Sequence, residues 1–468
     1  MLHRKDFNKH IGKVVEWVNN YYKNVESFPV KSTIKPNEIL NQLALSPPDS
    51  PEEMEDIIAD LNKIILPGIT HWQHPNFHAY FPANSSVESV YAEFITSAIG
   101  AQCMIWETSP AAAELEERMM EWFKKMMSIP DHMDGVIQDT ASTATLAALI
   151  VAREKITDYK SNWEGVPPGL RVYTSKEIHS SIDKAVAICG IGRNNLIKID
   201  TKEDGSMDTE HLRKQIEDDI DNGYRPTCII SGVGTTGRLA IDDVKSISTI
   251  ARKYNIWHHI DAAYLGTAAI LPEHRSILDG IEEADSMVFN PHKWMFTNFD
   301  CSVLFVREKE ELIKTYEILP EYLKTGTRGT VKDYRDWGIP LGRRFRALKL
   351  WFVIRSYGIN GIRSKLRKHI QLSEYFVAEI KKSSHMEIVG KPKINFCCFR
   401  LKPIDGETVE ETNARNKRFL DDVNASGKAF LSHTKINGSY VIRVVIGQTY
   451  VEKEHIDNLL DVLYSSKK

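Results

Sequence analysis

Apolar positions along this chain change period several times, and each change predicts an element. Near the start, Ile11, Val14, Val15, Trp17 and Val18 recur at helical spacing. Ser46-Pro47-Pro48-Asp49-Ser50-Pro51-Glu52-Glu53 then reads as a stop and a new start, with Ser50 as the cap and Pro51 first in the helix. From residue 81 the periods alternate. Residues 144–152 form a strongly apolar helix start, 171–175 a short strand, and Ser180 with Asp183 resembles a capping box. Residues 228–231, 255–260, 286–289 and 302–306 are apolar runs of strand length. Toward the end, 394–401 reads as a strand, and 429–435 and 439–446 flank the hairpin dipeptide Asn437-Gly438. Ile456, Leu459, Leu460 and Val462 mark a last helix.

Strands that alternate with helices predict an α/β fold with a mostly parallel sheet. We expect three parts: a helical packing arm over 1–80, a large domain over 81–350 and a small α+β domain over 351–468. In open parallel sheets ligands sit beyond the carboxyl ends of the strands. His179, Thr235, Asp261 and Lys293 each fall at or just after a predicted strand. They are therefore expected to meet at one rim.

Composition narrows the classes. At 468 residues, 42% apolar and 26% charged, the chain reads as a soluble globular protein of more than one domain. A net charge of −3 gives no general attraction to nucleic acid or to an anionic membrane. The first residues lack the apolar core of a signal peptide, and no stretch approaches the roughly 20 apolar residues that span a bilayer. Six cysteines without Cys-x-x-Cys spacing read as thiols of a reducing cytoplasm. His71, His74 and His78 are tempting as metal ligands, but Pro75 breaks any helix that would align them, and no metal is expected.

The chemistry concentrates in Asn290-Pro291-His292-Lys293-Trp294, His259-Ile260-Asp261-Ala262-Ala263-Tyr264 and Glu177-Ile178-His179-Ser180-Ser181. A lysine just past a buried strand is partly desolvated, which frees its amine to attack a carbonyl. A carboxylate such as Asp261 can keep a pyridine nitrogen protonated. An imidazole such as His179 can stack on a flat ring. Thr140-Ala141-Ser142, at the start of the apolar helix, offers hydroxyls and N–H groups to a dianion. The same hydroxyls would look identical as plain helix caps. Together these groups suit pyridoxal 5'-phosphate (PLP).

The chain resembles the group II PLP-dependent decarboxylases, most closely the aromatic-L-amino-acid decarboxylases. The matching stretches are His71-Trp72, Ala79-Tyr80-Phe81-Pro82, Ser109-Pro110-Ala111, Gly135-Val136-Ile137-Gln138, Asp261-Ala262-Ala263-Tyr264, Asn290 to Trp294 with Asn298 to Ser302, and Ile339 to Arg346. They run in family order across more than half of the chain.

The resemblance implies the aspartate-aminotransferase-like fold, called fold type I, and a homodimer with active sites at the subunit interface. It implies that Lys293 carries the cofactor, that Asp261 pairs with its ring nitrogen and that His179 stacks on the ring. Thr140, Ala141, Ser142 and His292 would bind the phosphate side, with Thr235 and Ala263 beside the cofactor. Tyr322, in Glu321-Tyr322-Leu323-Lys324, matches the catalytic loop tyrosine. Trp72, Tyr80, Phe81, Pro82, Met104 and Gly342 would line a large apolar substrate pocket. Glycine at 342 leaves room for an indole. The implied activity is decarboxylation of aromatic L-amino acids to arylalkylamines and CO2. The alternatives are an aromatic aldehyde synthase or a histidine decarboxylase. Retention of both Tyr322 and His179 favours amine over aldehyde. Three positions depart from the family pattern: Asp139 where animal members have glycine, Ala83 where many have a hydroxyl residue, and Met104 where an aromatic residue is common.

Overall fold

The computed structural model describes residues 4–318 and 329–466. Its contacts separate two compact units. One joins the residues up to Pro82 with those from Gln371 onward, and the other runs from Ala83 to Ile370.

The larger unit is built on a seven-stranded sheet. Its strands are β1 (Asp134–Gln138), β2 (Leu170–Ser175), β3 (Leu196–Ile199), β4 (Arg225–Gly232), β5 (Trp257–Asp261), β6 (Ser286–Phe289) and β7 (Ser302–Val306), in the order β1-β7-β6-β5-β4-β2-β3. The neighbours from β3 to β6 pair in parallel, while β7 runs antiparallel to both β6 and β1. Because β7 is reversed against both, β1 keeps the direction of the parallel set. The carboxyl ends of β1, β2, β4, β5 and β6 therefore share one edge.

The strands are apolar and buried along most of their length because helices cover the sheet. Helix Ala141–Ile156 packs Ala144, Ala147, Ala148 and Val151 against Val136, Val288 and Leu304. On the other face, Leu212 and Ile216 of helix Thr209–Asp221 and Ile247 of helix Val244–Tyr254 bury Tyr173 and Ile229.

In the other unit, β8 (Met386–Lys393), β9 (Phe396–Leu401), β10 (Ser432–Ile436) and β11 (Ser439–Val445) form an antiparallel sheet in the order β10-β11-β9-β8. The hairpin between β10 and β11 turns at Asn437 and Gly438. Both have positive φ (50° and 80°), as a two-residue turn of this kind requires. Helix Lys453–Ser465 buries Ile456, Leu459 and Leu460 against this sheet.

Several expected boundaries move. The second helix starts at Met54, with Glu53 at the N-cap, and not at Pro51 with a Ser50 cap. Its helix-favouring acids are Glu55 and Asp56, one turn further on. The strand expected from 255 begins at Trp257, because Asn255 (φ 53°) closes the preceding helix in the left-handed region. The strand expected from 394 begins at Phe396, since Ile394 (φ 52°) belongs to the turn after β8. Ser180 is helical in φ/ψ and caps nothing, while Asp183 pairs with Lys198 at 3.0 Å. Strands β1, β3 and β8 and the long helix Arg346–Lys382, broken at Gly358, were not assigned from the pattern.

Candidate active site

The shared strand edge collects the candidate residues of the larger unit. Asp139 to Ser142 follow β1, His179 follows β2, and Thr235 follows β4. Asp261 is the last residue of β5, and Lys293 lies four residues past β6. Sheet register sets Asp261 between its neighbours: it faces Gly232 of β4 on one side and Val288 of β6 on the other.

Lys293 sits in the short helix Pro291–Trp294, with Pro291 in its first turn. Asn84 clamps this helix, donating from Nδ2 to the Lys293 carbonyl at 2.6 Å and from its backbone N–H to the His292 carbonyl at 3.0 Å. Trp294 stacks on Tyr264 and donates to Nδ1 of His369 at 2.9 Å. Ser302 donates to the Asn290 side chain at 2.7 Å. With its backbone held this way, the Lys293 amine is desolvated and its pKa falls below the usual lysine value, opposed by attraction to Asp261.

Asp261 is fixed by the Ala263 N–H, which donates to Oδ1 at 3.1 Å. His179 is exposed at the rim. Its Nδ1 accepts the Ser181 N–H at 3.1 Å and lies 2.9 Å from the Ser181 hydroxyl. In the neutral ring the proton therefore rests on Nε2. Partial desolvation lowers the His179 pKa, Asp261 raises it and Lys293 lowers it. His179, Asp261 and Lys293 thus act on one another electrostatically, as one cluster.

Three of the phosphate candidates, Thr140, Ala141 and Ser142, form the start of helix Ala141–Ile156. Thr140 is its N-cap, accepting the Thr143 N–H at 3.4 Å. Ser142 and His179 line one cleft of about 250 Å³. His292 is buried, and desolvation first of all drives its pKa down to about 3. Its Nδ1 accepts the Cys301 N–H at 2.9 Å, so Nε2–H is its free donor. Thr235 is buried and accepts the Ala240 N–H at 2.9 Å, which leaves its hydroxyl proton to donate.

The substrate candidates fall in both units. In the smaller one, Trp72 lies over Tyr80 at 5.8 Å and 17°, Tyr80 meets Phe430 edge-on, and Phe81 is buried near Arg443. Tyr80 holds a positive φ of 51°, unusual for a bulky residue. Pro82 is buried there too. In the larger unit Met104 and Gly342 flank a backbone bond from Cys103 N–H to the Arg343 carbonyl, at 3.0 Å. Tyr322 lies outside the described residues.

The histidines considered for metal have other partners. His71 lies 2.9 Å from the Tyr21 hydroxyl, His74 accepts the Asn76 N–H, and His78 meets the Val445 carbonyl. In β5, His258 bridges Ser231 and Ser248, while His259 bridges Thr145 and Ser286. Burial lowers the pKa of this pair to about 3 and about 4.

Sequence reasoning missed Asn84, Phe430 and Asp242. The Asp242 carboxylate takes the N–H groups of Gly232 and Met207 at 2.7 and 2.6 Å, shaping the turn after β4. Asparagine and aspartate in loops carry no local pattern that would single them out.

The donor set fits PLP on chemical grounds. It offers a desolvated amine, a fixed carboxylate, an open imidazole, a capped helix start and a neutral histidine donor. Sheet topology and rim define a PLP enzyme of fold type I. The chain belongs to the pyridoxal-dependent decarboxylase family, whose conserved domain matches residues 36–402.

It is 40% identical to the tryptophan decarboxylase 2 of Oryza sativa subsp. japonica over 457 residues, covering 95% of this chain and 91% of that one. It is also 40% identical to the phenylacetaldehyde synthase of Arabidopsis thaliana over 453 residues, 95% and 92% of the two chains. The crystal structure of Oryza sativa TDC with PLP and tryptamine superposes with a TM-score of 0.96 at 33% identity, covering 99% and 98%. The protein is thus a carboxy-lyase that uses PLP.

Proposed function

We propose that the protein decarboxylates aromatic L-amino acids to arylalkylamines, as a homodimer in the cytoplasm. One observation supports the chemistry above all: a desolvated lysine amine beside a fixed carboxylate and an open imidazole, at the carboxyl edge of the sheet.

Lys293 would hold the cofactor. Asp261 would keep a proton on its ring nitrogen, and His179 would cover one ring face. Thr140, Ala141, Ser142 and His292 would take the phosphate, with Thr235 and Ala263 beside the ring. PLP, when bound, supplies an electron-poor ring that takes up the electron pair released as CO2 departs. Tyr322 would return a proton to the carbon that lost CO2.

Aromatic substrates are supported by the aromatic set Trp72, Tyr80 and Phe81 and by relatives named for tryptophan and tyrosine decarboxylation. Among the described residues no helix is long and apolar enough to cross a membrane. A homodimer is supported by helix Val87–Ile99, which leaves Tyr91, Phe94, Ile95 and Ile99 exposed, with Phe299 also exposed. The equal 40% identity to a decarboxylase and to an aldehyde synthase keeps one second reading, oxidative deamination coupled to decarboxylation.

A panel of aromatic, imidazole and acidic L-amino acids, assayed for CO2, amine, aldehyde and ammonia, tests the proposal. Amine and CO2 in equal amounts from an aromatic substrate are expected. Aldehyde with ammonia as the main product would establish the second reading, and turnover of histidine or glutamate alone would overturn both. The same panel tests Gly342. A side chain there would meet Nε2 of Gln102 at 3.3 Å, the far end of a flexible chain, so Gly342→Ser should fold. It should lower kcat/KM for tryptophan more than for tyrosine or DOPA, and an unchanged ratio would clear Gly342 of the role.

A further inference from the structure

The turn between β1 and the proposed phosphate helix carries a carboxylate. Oδ1 of Asp139 accepts the Thr140 N–H at 2.5 Å and lies 3.4 Å from the Thr140 hydroxyl. That hydroxyl is the one that caps helix Ala141–Ile156 and approaches the Thr143 hydroxyl at 3.2 Å. Asp139 therefore uses an N–H of the helix start and places negative charge where an anion would otherwise be favoured.

The cation that Asp139 attracts is already committed. Arg346 is attracted by Asp139, but its guanidinium is doubly bonded to Asp300 at 2.8 and 3.2 Å. His292, the other donor proposed for the phosphate, carries no charge at neutral pH.

We infer that Asp139 is an affinity-setting residue for the cofactor: its carboxylate opposes the phosphate of PLP and loosens the hold on that end alone. The inference rests on the proposal that the phosphate sits at Thr140 to Ser142. A carboxylate at the helix start would act through space on a dianion held there, and far more on that phosphate than on the pyridine ring. PLP and pyridoxal, which lacks the phosphate, therefore separate this effect from any change in ring binding.

The experiment is titration of the full-length protein, freed of cofactor, with PLP and with pyridoxal in parallel, at low and at high salt. Asp139→Asn keeps an acceptor for the Thr140 N–H and removes only the charge. It should tighten PLP by about three- to tenfold at low salt and shift pyridoxal by less than about twofold, with the gain shrinking at high salt. Asp139→Gly should act in the same direction. Unchanged or weaker PLP binding in both variants, or an equal change for both ligands, overturns the inference. Ser142→Ala is the control for the underlying reading. If it weakens PLP more than pyridoxal while Asp139→Asn does nothing, the inference fails and the phosphate site stands. If Ser142→Ala fails to distinguish the two ligands, the phosphate site itself is misplaced.

Discussion

Lys293 can work as a nucleophile because burial removes the water that stabilises an ammonium ion, and attraction to Asp261 offsets only part of that loss. Lys293→Ala should abolish turnover. It should also abolish the lysine-linked mass adduct that borohydride leaves on the wild-type protein, with PLP still bound reversibly. A full adduct in the mutant would place the linkage elsewhere. Asp261 contributes a negative charge that Asn cannot. Asp261→Asn keeps the shape and an acceptor for the Ala263 N–H, so cofactor content should largely survive while kcat falls by about 10²-fold or more. An unchanged kcat would remove Asp261 from the ring nitrogen. Both candidates stand out in the sequence because each lies within a few positions of a strand end. Asn84 does not, although it holds the Lys293 backbone across 209 residues. Its bonds go to the main-chain carbonyls of Lys293 and His292, and carbonyls look alike at every position of a sequence.

At the scale of elements, the turn after β4 shows how backbone geometry places a side chain. The N–H groups of Gly234 and Thr235 both reach the Ala240 carbonyl, at 2.9 and 3.0 Å. Gly234 has φ +92°, and a Cβ there would stand 2.6 Å from Cβ of Leu265. Both strain and overlap oppose a side chain. Gly234→Ala should cost about 2 kcal/mol or more in a denaturant melt and weaken PLP retention by displacing Thr235. A mutant with the wild-type midpoint would show that the loop yields freely. Apolar runs revealed β2, β4, β6 and β7 because strands buried on both faces carry little polar sequence. The pattern missed β3, where two of four residues are only partly buried, and β8, most of which is partly or wholly exposed. The Ser180 cap failed because Nδ1 of His179, not a serine hydroxyl, takes the Ser181 N–H. The bond that caps the helix is the same one that sets the tautomer of the ring proposed to stack on the cofactor.

At the scale of the molecule, the exposed apolar face of helix Val87–Ile99 asks for a partner. The same helix is tied to the segment after Lys293: Ser89 accepts the Asn298 N–H at 3.1 Å, and Glu93 accepts from Nδ2 of Asn298 at 3.4 Å. Disturbance of this face should therefore reach the site. Phe94→Glu places a charge on the patch and should shift the proposed dimer to monomer in light scattering after gel filtration, with loss of activity. An active dimer of unchanged mass would take this face out of the interface.

The order of apolar runs, together with chemically distinctive residues just after them, determined the α/β class and singled out Lys293, Asp261 and His179 as candidates. Period and residue type are local properties, and a sequence displays them directly. Tertiary structure decided that β7 runs backwards while β1 keeps the parallel direction, which brings Thr140 and Ser142 to the edge that holds Lys293. It also decided which polar side chains lock that edge in place: Asn84, Asp242, Asn290 and His369. Strand direction and long-range hydrogen bonds depend on which segments pack together. That choice is made by the burial of the whole sheet between its helices, and no single stretch of the chain contains it.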